Sequence, residues 1–171
     1  GDHLRHKYVA DSLTNIGPEI SWIIEKRENK LPKIPKKLNN NLKRLFKHHF
    51  QKRLLAEESY FKNAVKISNN KMRTIIKIKK NDLNTKKLDN ILKKIKPDIL
   101  ISYGCHKLND KLLKNSKICW NLHGGLSPWY RGAITHFWPT YLLEPQFTGM
   151  TLHETTQQID GGNIVHQTGL K

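Results

Sequence analysis

From Met72 onward, short runs of β-branched and aliphatic residues alternate regularly with helix-patterned stretches, and this alternation restricts the chain to a narrow class of folds. Arg73–Ile78 reads as a strand and Leu88–Ile95 as a helix. Pro97–Gly104 then reads as a buried strand ending in a turn, Leu108–Leu113 as a short helix and Ile118–Leu122 as another strand. Parallel strands need a crossover connection, usually helical, so the rhythm predicts an α/β fold: a mostly parallel sheet with helices on both faces. Ligands of such sheets sit beyond the carboxyl ends of the strands, and Asn121 and His123 fall at one such end.

Upstream, a helix-like stretch at Lys7–Ile16 leads into Glu19–Ile24, whose β-branched and aromatic content suits a strand, before Pro32 and Pro35 break the chain. About Lys37–Ser68 then reads as one long helix, with Leu38, Leu42, Leu45, Phe46, Leu54 and Leu55 recurring near three- and four-residue spacing and basic residues between them. A surface helix packing one apolar stripe is the favoured reading; a membrane-surface or tRNA-contacting helix is the sharper one. Residues 1–171 are expected to form a single catalytic domain, a fragment of a longer chain, with the basic helical stretch as an insertion around 37–68.

The formal net charge is +17, which suggests a polyanionic partner, but its distribution points elsewhere. Residues 1–117 hold 29 Lys+Arg against 11 Asp+Glu, whereas residues 118–171 hold 2 against 3. Lysine supplies nearly all the excess, in segments also rich in Asn and Ile, as a compositionally biased genome would place on solvated faces. Arg-rich stretches interleaved with aromatics, the stronger sign of nucleic-acid binding, are not found. Cys105 and Cys119 lack CxxC spacing and a Cys/His cluster, so no zinc site is expected. No apolar run approaches the roughly 20 residues of a membrane span, and the start, Gly1-Asp2-His3, has no signal-peptide core; a soluble, cytoplasmic protein without membrane attachment is expected.

The segment Asn121-Leu122-His123-Gly124-Gly125-Leu126-Ser127-Pro128-Trp129-Tyr130-Arg131-Gly132 carries the chemistry. Residues two apart on a strand project to the same side, and the glycines allow a tight backbone path beside a ligand. About thirty residues later, Asp160 precedes Gly161-Gly162 and a strand-like Ile164-Val165. A carboxylate meeting His123 would orient its imidazole and raise its basicity. An amide can donate to an oxyanion and an imidazole can handle the proton of an attacking amine, so the pieces suit acyl transfer. Ser127 is not in a GxSxG elbow and Cys119 lies in an apolar strand, which favours direct amine attack over a covalent enzyme intermediate. Taken singly, Asn121 reads as a turn cap, His123 as a satisfied polar residue and Asp160 as a turn residue; their joint placement favours catalysis. Tyr130 reads as structural, Arg131 as a loop pin or an anion contact, and Trp120, Trp129, Phe137 and Trp138 as core or pocket lining. His136, His153 and His166 lack metal-ligand spacing and receive no role.

Asn121–Gly132, followed by Phe137-Trp138, Thr148-Gly149-Met150-Thr151-Leu152-His153 and Ile159-Asp160-Gly161-Gly162-Asn163-Ile164, resembles the formyltransferase family's run of N-x-H, L-x-P-x-Y-R-G, an aromatic helix, T-G-x-T-x-H and D-x-G-x-I. The likeness covers about Pro97–Gln167 in order and spacing. It implies a Rossmann-like catalytic domain, N10-formyltetrahydrofolate as formyl donor, and a catalytic trio of Asn121, His123 and Asp160. In that picture Asn121 and protonated His123 stabilise the oxyanion, while Asp160 holds His123 and helps relay the proton. By location, the folate pteridine would lie near Tyr103-Gly104-Cys105, and Arg131 is the candidate for substrate binding. Gly124-Gly125, Ser127 and Gly162-Asn163 depart from the common pattern, and the central basic stretch has no counterpart.

The resulting expectation is an N-formyltransferase whose acceptor is a small amine, an amino sugar attached to a nucleotide. Methionyl-tRNA is a less favoured acceptor and glycinamide ribonucleotide another alternative. A hydrolase of the same donor would use the same trio with water in place of the amine. A non-catalytic, nucleic-acid-binding protein on the same fold would instead bind in a salt-dependent manner that survives loss of His123.

Overall fold

The α/β alternation is present in a computed structural model, which describes residues 1–16, 19–26, 31–63 and 72–169. The chain divides into two compact units, Gly1–Lys80 and Asn81–Lys171.

The first unit is a βαβ arrangement preceded by helix α1 (Leu4–Asn15). Strand β1 (Ile20–Lys26) leads to helix α2 (Asn40–Phe61) and then to β2 (Met72–Lys79), which pairs with β1 in parallel, Ile23 opposite Ile76. Helix α2 begins later than the hydrophobic spacing suggests because the Asn39 side chain accepts a hydrogen bond from the Leu42 N–H at 2.9 Å and caps it there. Its packed stripe also differs. Phe46, Phe50, Leu54, Glu57 and Phe61 are half-buried, while Leu42, Leu45 and Leu55 are exposed. The half-buried residues recur every three or four positions and share one face; Leu45 and Leu55 lie off it, and Leu42, four residues before Phe46, sits at its edge in the first turn of the helix. Arg5 Nη1 meets Glu57 Oε2 at 2.6 Å, and the rings of Tyr8 and Phe61 lie 5.2 Å apart, so α1 and α2 pack through this stripe. Residues 64–68 of the expected helix lie outside the described residues. Among the described residues no helix is long and apolar enough to cross a membrane.

The second unit contains α3 (Lys86–Ile95), β3 (Ile99–Tyr103), α4 (Asp110–Leu113), β4 (Ile118–His123), α5 (Phe137–Tyr141), β5 (Gly149–Glu154) and β6 (Ile164–Gly169). Its sheet runs in the order β3-β4-β5-β6, parallel between β3 and β4 and antiparallel in the two following pairs. Leu88 and Leu92 of α3, with Leu108 and Leu112 around α4, are buried. Helix α3 stops at Lys96, which takes a left-handed conformation just before Pro97. The aromatics of this unit are not core residues: Trp129, Phe137 and Trp138 are exposed and Trp120 is half-buried.

Asp89, buried on α3, ties that helix to α4 and the turn that follows it. Its carboxylate accepts from Asn115 Nδ2 at 3.0 Å and from Lys93 Nζ at 2.9 Å, with Lys111 Nζ at 3.5 Å. The Asn115 hydrogen bond, with the Lys93 one, holds its carboxyl down from the ordinary 3.8 to about 2. A carboxyl so depressed contributes stability in full above its unfolded value, and that stability is lost as pH falls through about 2. Acid titration of the fold by circular dichroism is expected to show stability declining below about pH 4. Asp89→Asn should be less stable at neutral pH and show a shallower decline over that interval.

Candidate active site

Three side chains lie in one row across the sheet of the second unit. Ser102 of β3 pairs with Asn121 of β4, and Asn121 pairs with His153 of β5. His123, two residues beyond Asn121 on the same face of β4, pairs with Thr151. Asp160 comes from the loop between β5 and β6 and lies against this row.

The carboxylate of Asp160 is the hub. Its Oδ1 is 3.2 Å from Asn121 Nδ2 and 3.3 Å from His153 Nε2. Its Oδ2 accepts from the Gly132 backbone N–H at 2.7 Å and faces His123 Nδ1 at 3.4 Å. Asp160 takes φ 47°, a left-handed conformation that Asp tolerates better than most residues. The turn that presents it is closed by Gly162, where a Cβ would fall 1.9 Å from the Glu154 carbonyl oxygen, so no larger residue fits without moving backbone.

His123 is buried, and its Nε2 lies 2.8 Å from the carbonyl oxygen of Tyr130. A carbonyl can only accept, so Nε2 carries the hydrogen there and Nδ1 is the nitrogen presented to Asp160. Close packing keeps the ring and the carbonyl together: a Cβ on Gly125 would lie 2.5 Å from the Tyr130 oxygen and 2.8 Å from His123 Nε2. The loop itself is tied down by Thr151, which is fully buried. Its hydroxyl donates to the Gly125 carbonyl at 2.7 Å and accepts from the Ser127 N–H at 3.0 Å and from Gln167 Nε2 at 3.0 Å. Thr151→Val keeps the volume but strands these buried groups, and it is expected to lower stability by about 1–3 kcal/mol, measured by chemical denaturation.

The trio expected from the sequence is thus brought together by these contacts. Tyr103 ends β3 next to Ser102 and pairs with Leu122, and Gly104 turns the chain with φ 56°, so Tyr103-Gly104-Cys105 leave the sheet at the end where Asn121 lies. Arg131 is exposed beside Gly132 and makes no hydrogen bond or ion pair among the described residues. The Tyr130 hydroxyl donates to Glu144, a contact that pushes the phenol's pKa up. Burial pushes the Cys119 thiol up, and that thiol donates to the Leu113 carbonyl at 3.3 Å, so it is poorly suited to act as a nucleophile. Sequence reasoning left two residues of the site without a role: His153, which touches both Asn121 and Asp160, and Ser102, whose Oγ is 2.8 Å from Asn121 Oδ1. The T-x-H spacing on a short segment was the available signal for His153.

An amide and two imidazoles gathered around one carboxylate can donate to a developing oxyanion and move a proton to or from an attacking amine. Residues 31–171 match the family described as formyl transferase. Over 118 residues, 68% of this chain, the sequence is 38% identical to the bifunctional polymyxin resistance protein ArnA of Wigglesworthia glossinidia brevipalpis, and it spans 18% of that relative's length. Among solved structures, glycinamide ribonucleotide transformylase 1 of Symbiobacterium toebii superposes with a TM-score of 0.56 at 12% identity, over 98% of this chain and 68% of that one. This is a likeness of fold. A sugar N-formyltransferase of Shewanella sp. superposes with a TM-score of 0.48 at 18% identity, over 88% of this chain and 56% of that one.

Proposed function

Given that the chain belongs to the formyl transferase family, we propose that it is the catalytic part of an N-formyltransferase that moves a formyl group from N10-formyltetrahydrofolate to an amine. The observation that carries this reading is the placement of Asn121, His123 and Asp160 in contact at the carboxyl end of β4.

When bound, the donor supplies an activated formyl carbon: the amine nitrogen bonds to it, the bond to N10 breaks, and the proton lost by the amine ends on N10. The roles of the chain's own residues follow from their contacts. Asn121 offers amide N–H groups where charge develops on the formyl oxygen. His123, held through Nε2, handles the proton at Nδ1, where Asp160 Oδ2 faces it at 3.4 Å. Such contacts are often long in a free site and tighten around substrate. Asp160 keeps the imidazole oriented and balances its charge. Donor binding is assigned to the turn at Tyr103-Gly104-Cys105, whose backbone leaves the sheet beside this row. The favoured acceptor is an amino sugar attached to a nucleotide. Arg131 supports it, because an exposed guanidinium next to Gly132, which touches Asp160, suits a phosphate oxygen.

The reading is tested by following tetrahydrofolate release from N10-formyltetrahydrofolate with nucleotide-linked amino sugars, glycinamide ribonucleotide and methionyl-tRNA in turn. Release that requires a nucleotide-linked amino sugar supports it. Release without any amine shows a hydrolase, and release with tRNA alone reassigns the acceptor.

A further inference from the structure

His153 lies 2% exposed beneath the trio and has no part in the mechanism above. Its Nδ1 is 2.7 Å from the carbonyl oxygen of Glu154, so Nδ1 carries a hydrogen, and its Nε2 lies 3.1 Å from Asn121 Nδ2 and 3.3 Å from Asp160 Oδ1. Asn121 Nδ2 is the nearer of the two, and a ring that carries its one hydrogen on Nδ1 accepts from it at Nε2. We propose that His153 is a positioning residue: it sets which way round the Asn121 amide lies and holds it so while the oxyanion forms. The inference rests on the formyl-transfer reading of this site.

The alternatives can be compared atom by atom. With Nδ2 toward His153, every contact of the Asn121 amide is donor to acceptor: Nδ2 to His153 and Asp160, and the Ser102 hydroxyl to Oδ1 at 2.8 Å. Reversing the amide would set its oxygen against the His153 lone pair and the Asp160 carboxylate, two acceptor-to-acceptor contacts in a buried place. Ser102 does not decide the matter. Its hydroxyl can accept from the reversed amide and donate to the Trp120 carbonyl, 3.3 Å away. Asp160 favours the observed orientation but also serves His123 and the Gly132 N–H. His153 Nε2, by contrast, has no donor other than Asn121 Nδ2 among the described residues. With one N–H of Asn121 held by His153, the other, on the Nδ2 that lies 3.2 Å from Asp160 Oδ1, is the one left to be shared with the oxyanion.

The test compares His153→Leu with His153→Gln in the intact protein, since a glutamine side-chain oxygen can accept where Nε2 does. His153→Leu is expected to lower kcat roughly 10- to 100-fold with the KM of donor and acceptor little changed, the signature of lost orientation in the transition state. His153→Gln is expected to keep most of the wild-type kcat. Nitrogen NMR of the wild-type His153 ring supplies a readout independent of activity and of the variants' folding, with Nδ1 protonated and Nε2 bare. A ring protonated at Nε2, with or without Nδ1, a glutamine variant as impaired as the leucine one, or an unimpaired leucine variant would overturn the proposal. Failure of the underlying reading is seen separately, as wild-type protein that transfers formyl to no amine.

Discussion

His123→Ala is expected to lower kcat/KM for formyl transfer by about 10²- to 10⁴-fold while the fold persists. The imidazole is clamped between the Tyr130 carbonyl on Nε2 and Asp160 on Nδ1, so its position is set before any substrate arrives. Truncation removes the group that handles the amine's proton and leaves the Asp160 carboxylate without the ring it orients. The loss should appear in kcat, because the contacts assigned to donor and acceptor, Tyr103-Gly104-Cys105 and Arg131, are untouched. Steady-state kinetics with the preferred amine checks this, with circular dichroism to confirm the fold.

Asp160→Asn should cost as much or more, roughly 10³-fold or beyond, for two reasons that act together. Oδ2 accepts from the Gly132 N–H at 2.7 Å, so the new amide must keep its oxygen there and turn its NH2 toward Asn121 and His153. That NH2 can donate to His153 Nε2 but opposes the NH2 of Asn121, whose orientation is then lost along with its aim at the oxyanion. His123 meanwhile loses its only carboxylate among the described contacts. Asparagine tolerates φ 47° as aspartate does, so the turn itself should survive. Comparing denaturation midpoints of wild type and variant separates loss of catalysis from loss of structure.

Part of this site was legible in the sequence because it depends on local geometry. Asn121 and His123 are two apart at the end of an apolar strand, and Asp160 stands before a glycine turn that backbone crowding at Gly162 explains. His153 and Ser102 could not be placed in the same way. Their contacts with Asn121 are made across strands, and register appears only when strand order is known. Strand β5 was hidden for a further reason: its buried face carries Gly149, Thr151 and His153, while Met150 and Leu152 are half-buried, so the usual apolar alternation runs opposite to burial. The same inversion applies to the aromatics. Phe137 and Trp138 sit on a five-residue helix whose buried residue is Pro139, which leaves their rings exposed. On α2 the expected stripe held Phe46 and Leu54, which are half-buried, but also Leu42, Leu45 and Leu55, which are exposed, and it missed Phe50 and Phe61.

Formyl transfer is measured most directly by a single turnover with N10-formyltetrahydrofolate carrying a ¹³C-labelled formyl group, with the products identified by mass for wild type and Asp160→Asn. The label is expected as a formamide on the amine, one for each tetrahydrofolate released, with Asp160→Asn forming almost none in the same time. Label recovered as free formate, or a variant that transfers as fast as wild type, would contradict it.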